Sequence, residues 1–475
     1  MKRILVLILL VAPLLAAAQQ PLLSRRQSKK VIGQLAKLQS RYKEVCLLDN
    51  CRTAIVTDTN YNQGLVTLNG RELLPCRYQI DIQENSPLLL VTDSLMGIVD
   101  RDGRWILPLE NENNRGCACE LGHQFSDGYM VYSRNGKYGA IDTLGNVIFP
   151  CTFDHSFTID WENRLLRFFD YNPEKGAHQY VTDFDGKKTN EYISLGWFSE
   201  GLALYRYDTF YGYIDIAGRE VIAQRFTHAG HFRAGVAVVE EDGRSGIIDR
   251  NGDYVFRIDS AVQIDCNTRL DNLFIVHRID GKTSYVKGID RHGRTLIPWQ
   301  KSHIYHYIWE TRSGYLVVDN DSVSLVYDGQ GNRVAEFGKL LYFSEMDGKD
   351  DYKGMYVAYK DGFAGVVDTN FETVLPFIYQ EVDFQNYDYF SVVMADGRRA
   401  VIDRKGNIIV EYEYDNVFAS TKSFFSFSMF DPDRNGIING YFDIYGNSTA
   451  TPEQQQRIRQ WIERRKEKQK EAQQK

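Results

Sequence analysis

Beyond its first twenty residues the chain has no apolar run long enough to cross a bilayer as a helix, which takes about 20 residues. Proline is scarce, 11 residues in 475, while Tyr and Phe number 30 and 26. That balance excludes a Pro-rich disordered chain and favours strands. There is no HExxH, no GxSxG elbow, no Walker A loop and no GxGxxG fingerprint, so the commonest metalloprotease, hydrolase and nucleotide-binding signatures are absent. The seven cysteines are an odd count, which leaves one free or paired between chains. Cys46 and Cys51 flank "LLDN" and could face each other across a hairpin. Cys117 and Cys119 are too close to bond each other without strain. No second close Cys or His pair has the spacing to join them in a zinc cluster.

What is present begins at the ends. Lys2 and Arg3, the apolar stretch Ile4 to Leu15 and the small residues Ala16–Ala18 read as a secretory signal peptide over 1–18, with no Cys after it for lipid attachment. The chain is therefore expected to be exported, to a periplasm, a cell surface or the medium, with no transmembrane segment in its mature form. Residues 19–45 read as a basic amphipathic helix with Val31, Leu35, Leu38, Tyr42 and Val45 on one stripe. Residues 451–475 read as a second basic helix or tail, starting with a cap at Thr451 and a first-turn Pro452. Both ends carry excess Lys and Arg, yet the whole chain has a net charge of −7, so the body between them is strongly acidic. A nucleic-acid partner is excluded on that ground, because phosphates call for a basic surface.

The body, 46–450, is periodic. "YGAIDTLGNVIFPCTF" (138–153) and "YGYIDIAGREVIAQRF" (211–226) share aromatic, Gly, an apolar pair, Asp, two free positions and Gly. Aligning the Asp gives eleven positions: Thr67, Asp100, Asp142, Asp183, Asp215, Asp249, Asp290, Asp328, Asp368, Asp403 and Asp443. Three residues later a Gly follows in all but one, where Phe371 stands. Pro75, Pro108, Pro150, Pro298 and Pro376 close five units, and an aromatic follows three further on in several. A fixed period over most of a chain signals a repeat architecture. Each unit reads as short strands, apolar at successive positions and bounded by Gly, Asn and Asp. A lone unit cannot bury itself, so neighbours must share a core. The expected fold is all-β: a tandem array of about eleven short β-meander or hairpin repeats, arranged as bilobed propeller-like bodies or an open twisted array.

The pattern resembles the WG-repeat family of bacterial proteins, tandem β-repeats named for a Trp-Gly pair. This chain puts Tyr, Met or Ser where the family's Trp stands, and Lys287, Leu325 and Ala400 replace the Gly of the pair. The resemblance implies an all-β repeat fold and a binding or scaffolding role. It carries no catalytic residues.

An acid that returns every repeat invites a catalytic or metal-binding reading. The physical alternative is a turn: the Asp accepts backbone N–H groups and the Gly takes a left-handed conformation. Asp100 with Gly103, Asp142 with Gly145, Asp215 with Gly218, Asp249 with Gly252, and Asp403 with Gly406 are read as structural turn pairs. One loop, "DPDRNGIINGYF" (431–442), offers Asp431, Asp433, Asn435 and the Ile437 carbonyl at calcium-loop spacing, although its twelfth position is Phe442 rather than Glu. Calcium is thus the one candidate ligand ion, with no other cofactor implied. The His228/His231 and His303/His306 pairs lack a third ligand. The functional expectation is an exported, non-catalytic binding or scaffold module for a protein or glycan partner in the cell envelope. The alternative is a hydrolase acting on envelope or external polymers through paired acids in a groove.

Overall fold

Strands that are apolar at successive positions need cover on both faces, and that need organises the molecule. The computed structural model describes residues 22–473 apart from 84–85, 113–124, 173–175, 259–261, 266–269, 282, 303–307, 312, 320–322, 342–353, 387–388 and 432–433. The signal-peptide expectation therefore lies outside the described residues, as do Cys117, Cys119, His303, His306 and Asp433. Among the described residues the chain forms eleven antiparallel meanders, mostly of three or four short strands, with helices at either end. Each meander carries one of the eleven motif positions at, or next to, the end of a strand. The all-β repeat expectation is met.

The chain divides into two compact units. The larger covers residues 81–100 and 105–382 and shows how neighbouring repeats share cores. Along Val236–Glu241, Val236 and Val238 join the core that contains Phe274, Val276 and Ile289 of the following repeat. Ala237 and Val239 join the core that contains Tyr213, Ile222 and Phe226 of the preceding one. Period-two alternation thus gives each face of one sheet to a different neighbour. Tyr129 and Val131 alternate with Met130 and Tyr132 in the same way.

The other unit comprises residues up to 80, 101–104 and 383 onward, and it brings both chain ends together. Helix α1 (Arg25–Gln39) starts at Ser24 in a capping box with Gln27. Its Val31, Ile32, Leu35 and Leu38 pack against Ala54, Val56 and Val66 of the first repeat and Phe424 and Tyr441 of the last. Burying each such aliphatic side chain contributes about 1.5–3 kcal/mol. The Tyr441 hydroxyl donates to the Val45 carbonyl (2.9 Å) and accepts from the Leu47 amide (3.1 Å). The Leu23 amide donates to Ser423 Oγ (3.1 Å), and the Tyr445 hydroxyl donates to the Leu23 carbonyl (2.9 Å). Val45 belongs to the first strand, Glu44–Leu47, rather than to the helix. Helix α2 (Pro452–Gln473) begins as its sequence indicates: the Gln454 amide donates to Thr451 Oγ1 (3.2 Å). Its Ile458 is buried beside Val417, Phe427 and Met429, with Trp461 and Ile462 partly so.

The cysteine expectation fails. Cys46, Cys51 and Cys76 are free thiols. The first hairpin pairs Cys46 with Ile55, while Cys51 sits in the connecting turn with φ 52°, so the two sulfurs are not opposed.

Candidate binding surface

The recurring Asp and Gly are the first residues to place, because they were the most site-like in the sequence. At Asp142 the Gly145 amide donates to the Asp142 carbonyl (3.0 Å). Asp142 Oδ1 accepts from the Leu144 (2.9 Å) and Asn146 (2.8 Å) amides, and Oδ2 accepts from Asn146 Nδ2 (2.8 Å). Gly145 has φ +89°. The same bonds recur at Asp249, whose Oδ1 takes the Asn251 and Asp253 amides, and at Asp403, whose Oδ1 takes those of Lys405 and Asn407. Asp215 takes the Arg219 amide (2.9 Å) and its Nε (2.7 Å). Gly218, Gly252 and Gly406 all have positive φ, as does Gly103 after Asp100. The carboxylate is engaged in the turn itself. At Asp215 and Asp403 burial pushes the carboxyl pKa up, but the bonds from Arg219 and from Asn407 and Lys405 outweigh it and hold the group below its ordinary value.

The Gly does more than turn. A Cβ on Gly145 would stand 2.2 Å from Ile106 Cγ2 of the preceding repeat. Gly252 meets Ile222, Gly293 meets Phe256 and Gly331 meets Leu296 in the same manner. These four turns therefore seat on an apolar side chain of their predecessor. Where the Gly is lost, Phe371 adopts φ 63° and packs its ring between Tyr315 and Tyr356.

The Gly of the aromatic-Gly pair has a separate cause. Tyr138 pairs with Phe153 and Ala140 with Phe149, so Gly139 alone faces Pro150, Cys151 and Thr152. A Cβ on Gly139 would stand 2.6 Å from the Phe149 carbonyl oxygen inside this bulge. Pro150 lies in the extra stretch, where no ladder N–H is needed. The same slip occurs around Pro75 and Pro376. Gly and Pro are two halves of one bulge.

Of the candidate calcium loop, Asp431, Asn435 and Ile437 lie among the described residues. Asp431 is buried and ion-paired with Arg457 of α2. Asn435 occupies a left-handed turn (φ 46°), and Ile437 is an exposed residue of the strand Gly436–Asp443. Of the His pair, His228 Nδ1 lies 3.5 Å from Glu240, whereas His231 Nδ1–H donates to the Trp197 carbonyl (3.2 Å).

A recurrent feature that the sequence reading missed is the "FSEG" turn. Asp127/Gly128, Glu200/Gly201 and Ala234/Gly235 are consecutive positive-φ pairs before the strands that start at Tyr129, Leu202 and Val236. Ser199 Oγ donates to the Phe232 carbonyl (2.6 Å), and Glu200 Oε2 accepts the Gly235 amide (3.0 Å). This turn thus links one repeat to the next. Its signal was legible in "QFSDG", "WFSEG" and "HFRAG".

One group does not belong to the repeated scaffold. Arg167, on the strand Leu165–Asn172, is only 8% exposed. Its guanidinium carbon lies 5.3 Å from the Phe169 ring centre and 5.0 Å from that of Trp197. Those rings are 51% and 47% exposed. Nη2 donates to Gln179 Oε1 (2.7 Å), which also accepts the Leu195 amide (3.1 Å). Nε has no hydrogen-bond partner, and Arg167 is in no ion pair among the described residues. Burial pulls its pKa down to about 10, opposed by the charge of Asp160, so it remains cationic at neutral pH. Two other arginines with buried nitrogens have carboxylates: Arg101 has Asp49 (3.3 Å), and Arg457 has Asp431. A separate cleft of about 560 Å³ between turns is lined by Arg164, Lys187, Lys188, Asp183, Asp215 and Arg219, among others, and its charges are mixed.

No curated protein matches this chain. Among solved structures, a eukaryotic initiation factor is similar at 11% identity and TM-score 0.35, covering 68% of this chain and 95% of that one. Dihydro-heme d1 dehydrogenase NirN is similar at 14% and 0.27, covering 61% and 73%. BamB from Moraxella catarrhalis is similar at 13% and 0.26, covering 66% and 94%. Likenesses this loose carry no argument. The description "WG containing repeat" fits residues 138–159, 211–244, 365–397 and 401–428. These four stretches hold turns and bulges of the kind described above, and in them the chain is similar to the WG-repeat family.

Proposed function

We propose that this chain is an exported, non-catalytic binding module whose partner is a protein of the cell envelope. The observation that carries this reading is the pair of exposed rings, Phe169 and Trp197, both packed against a buried arginine. Trp and Arg are the residue types that dominate protein interfaces. Repeat arrays commonly present such groups on a rigid frame while the repeated residues hold the frame. The motif acids favour binding over hydrolysis, since Asp142, Asp249 and Asp403 are engaged by the amides of their own turns. Export rests on the charged, apolar and small-residue succession of residues 1–18. No helix among the described residues is long and apolar enough to cross a membrane.

The test is a photo-crosslinking amino acid at Phe169 in the full chain, expressed in the cells that make it. The expected result is a discrete protein adduct that is missing when the crosslinker stands at Ile279, an exposed residue of another repeat. No adduct at Phe169, or the same adducts from both positions, would overturn the reading.

A further inference from the structure

We propose that Arg167 is the anchor of a carboxylate-binding site, and that the carboxylate is presented singly by a protein partner, from an Asp or Glu side chain or a chain terminus. This rests on the reading of the chain as a protein-binding module. A guanidinium removed from water without a counter-ion costs several kcal/mol. An acceptor reaching Arg167 from outside the chain would complete it. Arg167 has one neutral acceptor in Gln179, two aromatic faces and an unused Nε. Guanidinium and carboxylate are matched in shape, and their charge-assisted bonds are about twice as strong as neutral ones.

The surroundings select the ligand class. With Arg167 only 8% exposed, a narrow group must reach its guanidinium past the exposed Phe169 and Trp197 rings, which then contact whatever bears that group. Gln179 is already oriented by the Leu195 amide, so the guanidinium is held in place before a ligand arrives. A polymer with a charge on every residue is disfavoured, because the body of the chain is acidic and repels it. A protein can offer one carboxylate on an otherwise neutral or basic surface.

The experiment selects random twelve-residue peptides, displayed with free and with amidated C-termini, on the full chain. Binders are then measured against wild type, Arg167→Met and Arg167→Lys. The expected peptides carry an acidic residue or a free terminus at one position. Changing that group to its amide, or Arg167 to Met, weakens binding on the order of 30-fold or more. Arg167→Lys recovers part of the loss. The two display formats separate a side-chain carboxylate from a terminal one. Arg167→Met has the melting temperature of wild type or higher, because it removes a buried unpaired charge. Peptides that bind Arg167→Met equally well would overturn the site while leaving the binding-module reading intact. An oligogalacturonate that binds in an Arg167-dependent way would overturn the protein source. Failure to select any peptide at all would count against the binding module itself.

Discussion

A single Cβ distinguishes two roles for the motif glycines. Gly145 and Gly186 both have positive φ, but a methyl group on Gly186 meets nothing within 4 Å, whereas one on Gly145 strikes Ile106. Gly186→Ala therefore carries only the conformational cost, about 1 kcal/mol. Gly145→Ala carries that cost plus overpacking of about 1–3 kcal/mol, and Ile106→Ala in the same chain should return part of it. Denaturant titration of the three variants checks this; equal losses for the two glycines would contradict it. The motif carboxylates make a second prediction. Asp215, Asp290, Asp328 and Asp403 are each pushed up by burial but held lower overall by the bonds they accept. A folded pKa below the unfolded value of about 3.9 means stability that is present above about pH 4 and lost as pH falls through the folded values. Melting temperature should thus hold between pH 5 and 7 and drop below about pH 4, and Asp403→Asn should flatten part of that drop. The turn role of Asp and Gly was legible from spacing alone, because turn chemistry is local. The seating of Gly145 on Ile106 was not, because it depends on how one repeat meets the next.

Elements show the same division between local and non-local signals. The Pro and the following aromatic were visible as a pattern, but their cause, a bulge that needs Gly139 and Pro150 together, appears only with strand register. Helix α2 was legible at its start because a cap is a local device, as Thr451 shows. Its anchor was not, because Asp431 and Arg457, which pair, are far apart in the sequence. Removing one partner of a buried ion pair costs about 3–5 kcal/mol, and replacing both with apolar residues costs much less. Arg457→Met should therefore loosen α2, seen as faster amide exchange from Glu453 to Ile462. Asp431→Leu with Arg457→Met should restore most of the protection. Equal exchange in the single and double variants would show that the pair does not hold the helix.

At the scale of the molecule, the period predicted shared cores, and Val236–Val239 serve two neighbours as the alternation requires. It did not predict that the first and last repeats share one, because Tyr441 and Val45 are separated by 396 positions. Deleting residues before Lys43 should accordingly speed amide exchange in both Thr53–Thr67 and Phe424–Asp443; a change confined to the first would contradict the shared core. Arg167 was also silent in the sequence, since nothing marks one arginine among many as lacking a carboxylate. What repeats builds the frame, and Arg167 stands outside the repeated pattern. The most direct test is the affinity of a selected acidic peptide for folded Arg167→Met and Asp403→Ala, read with their melting temperatures. Asp403→Ala should lose about 1–2 kcal/mol of stability and bind as wild type does, while Arg167→Met should keep its stability and lose the peptide. The reverse pattern, with stability lost at Arg167 or binding lost at Asp403, would contradict the account.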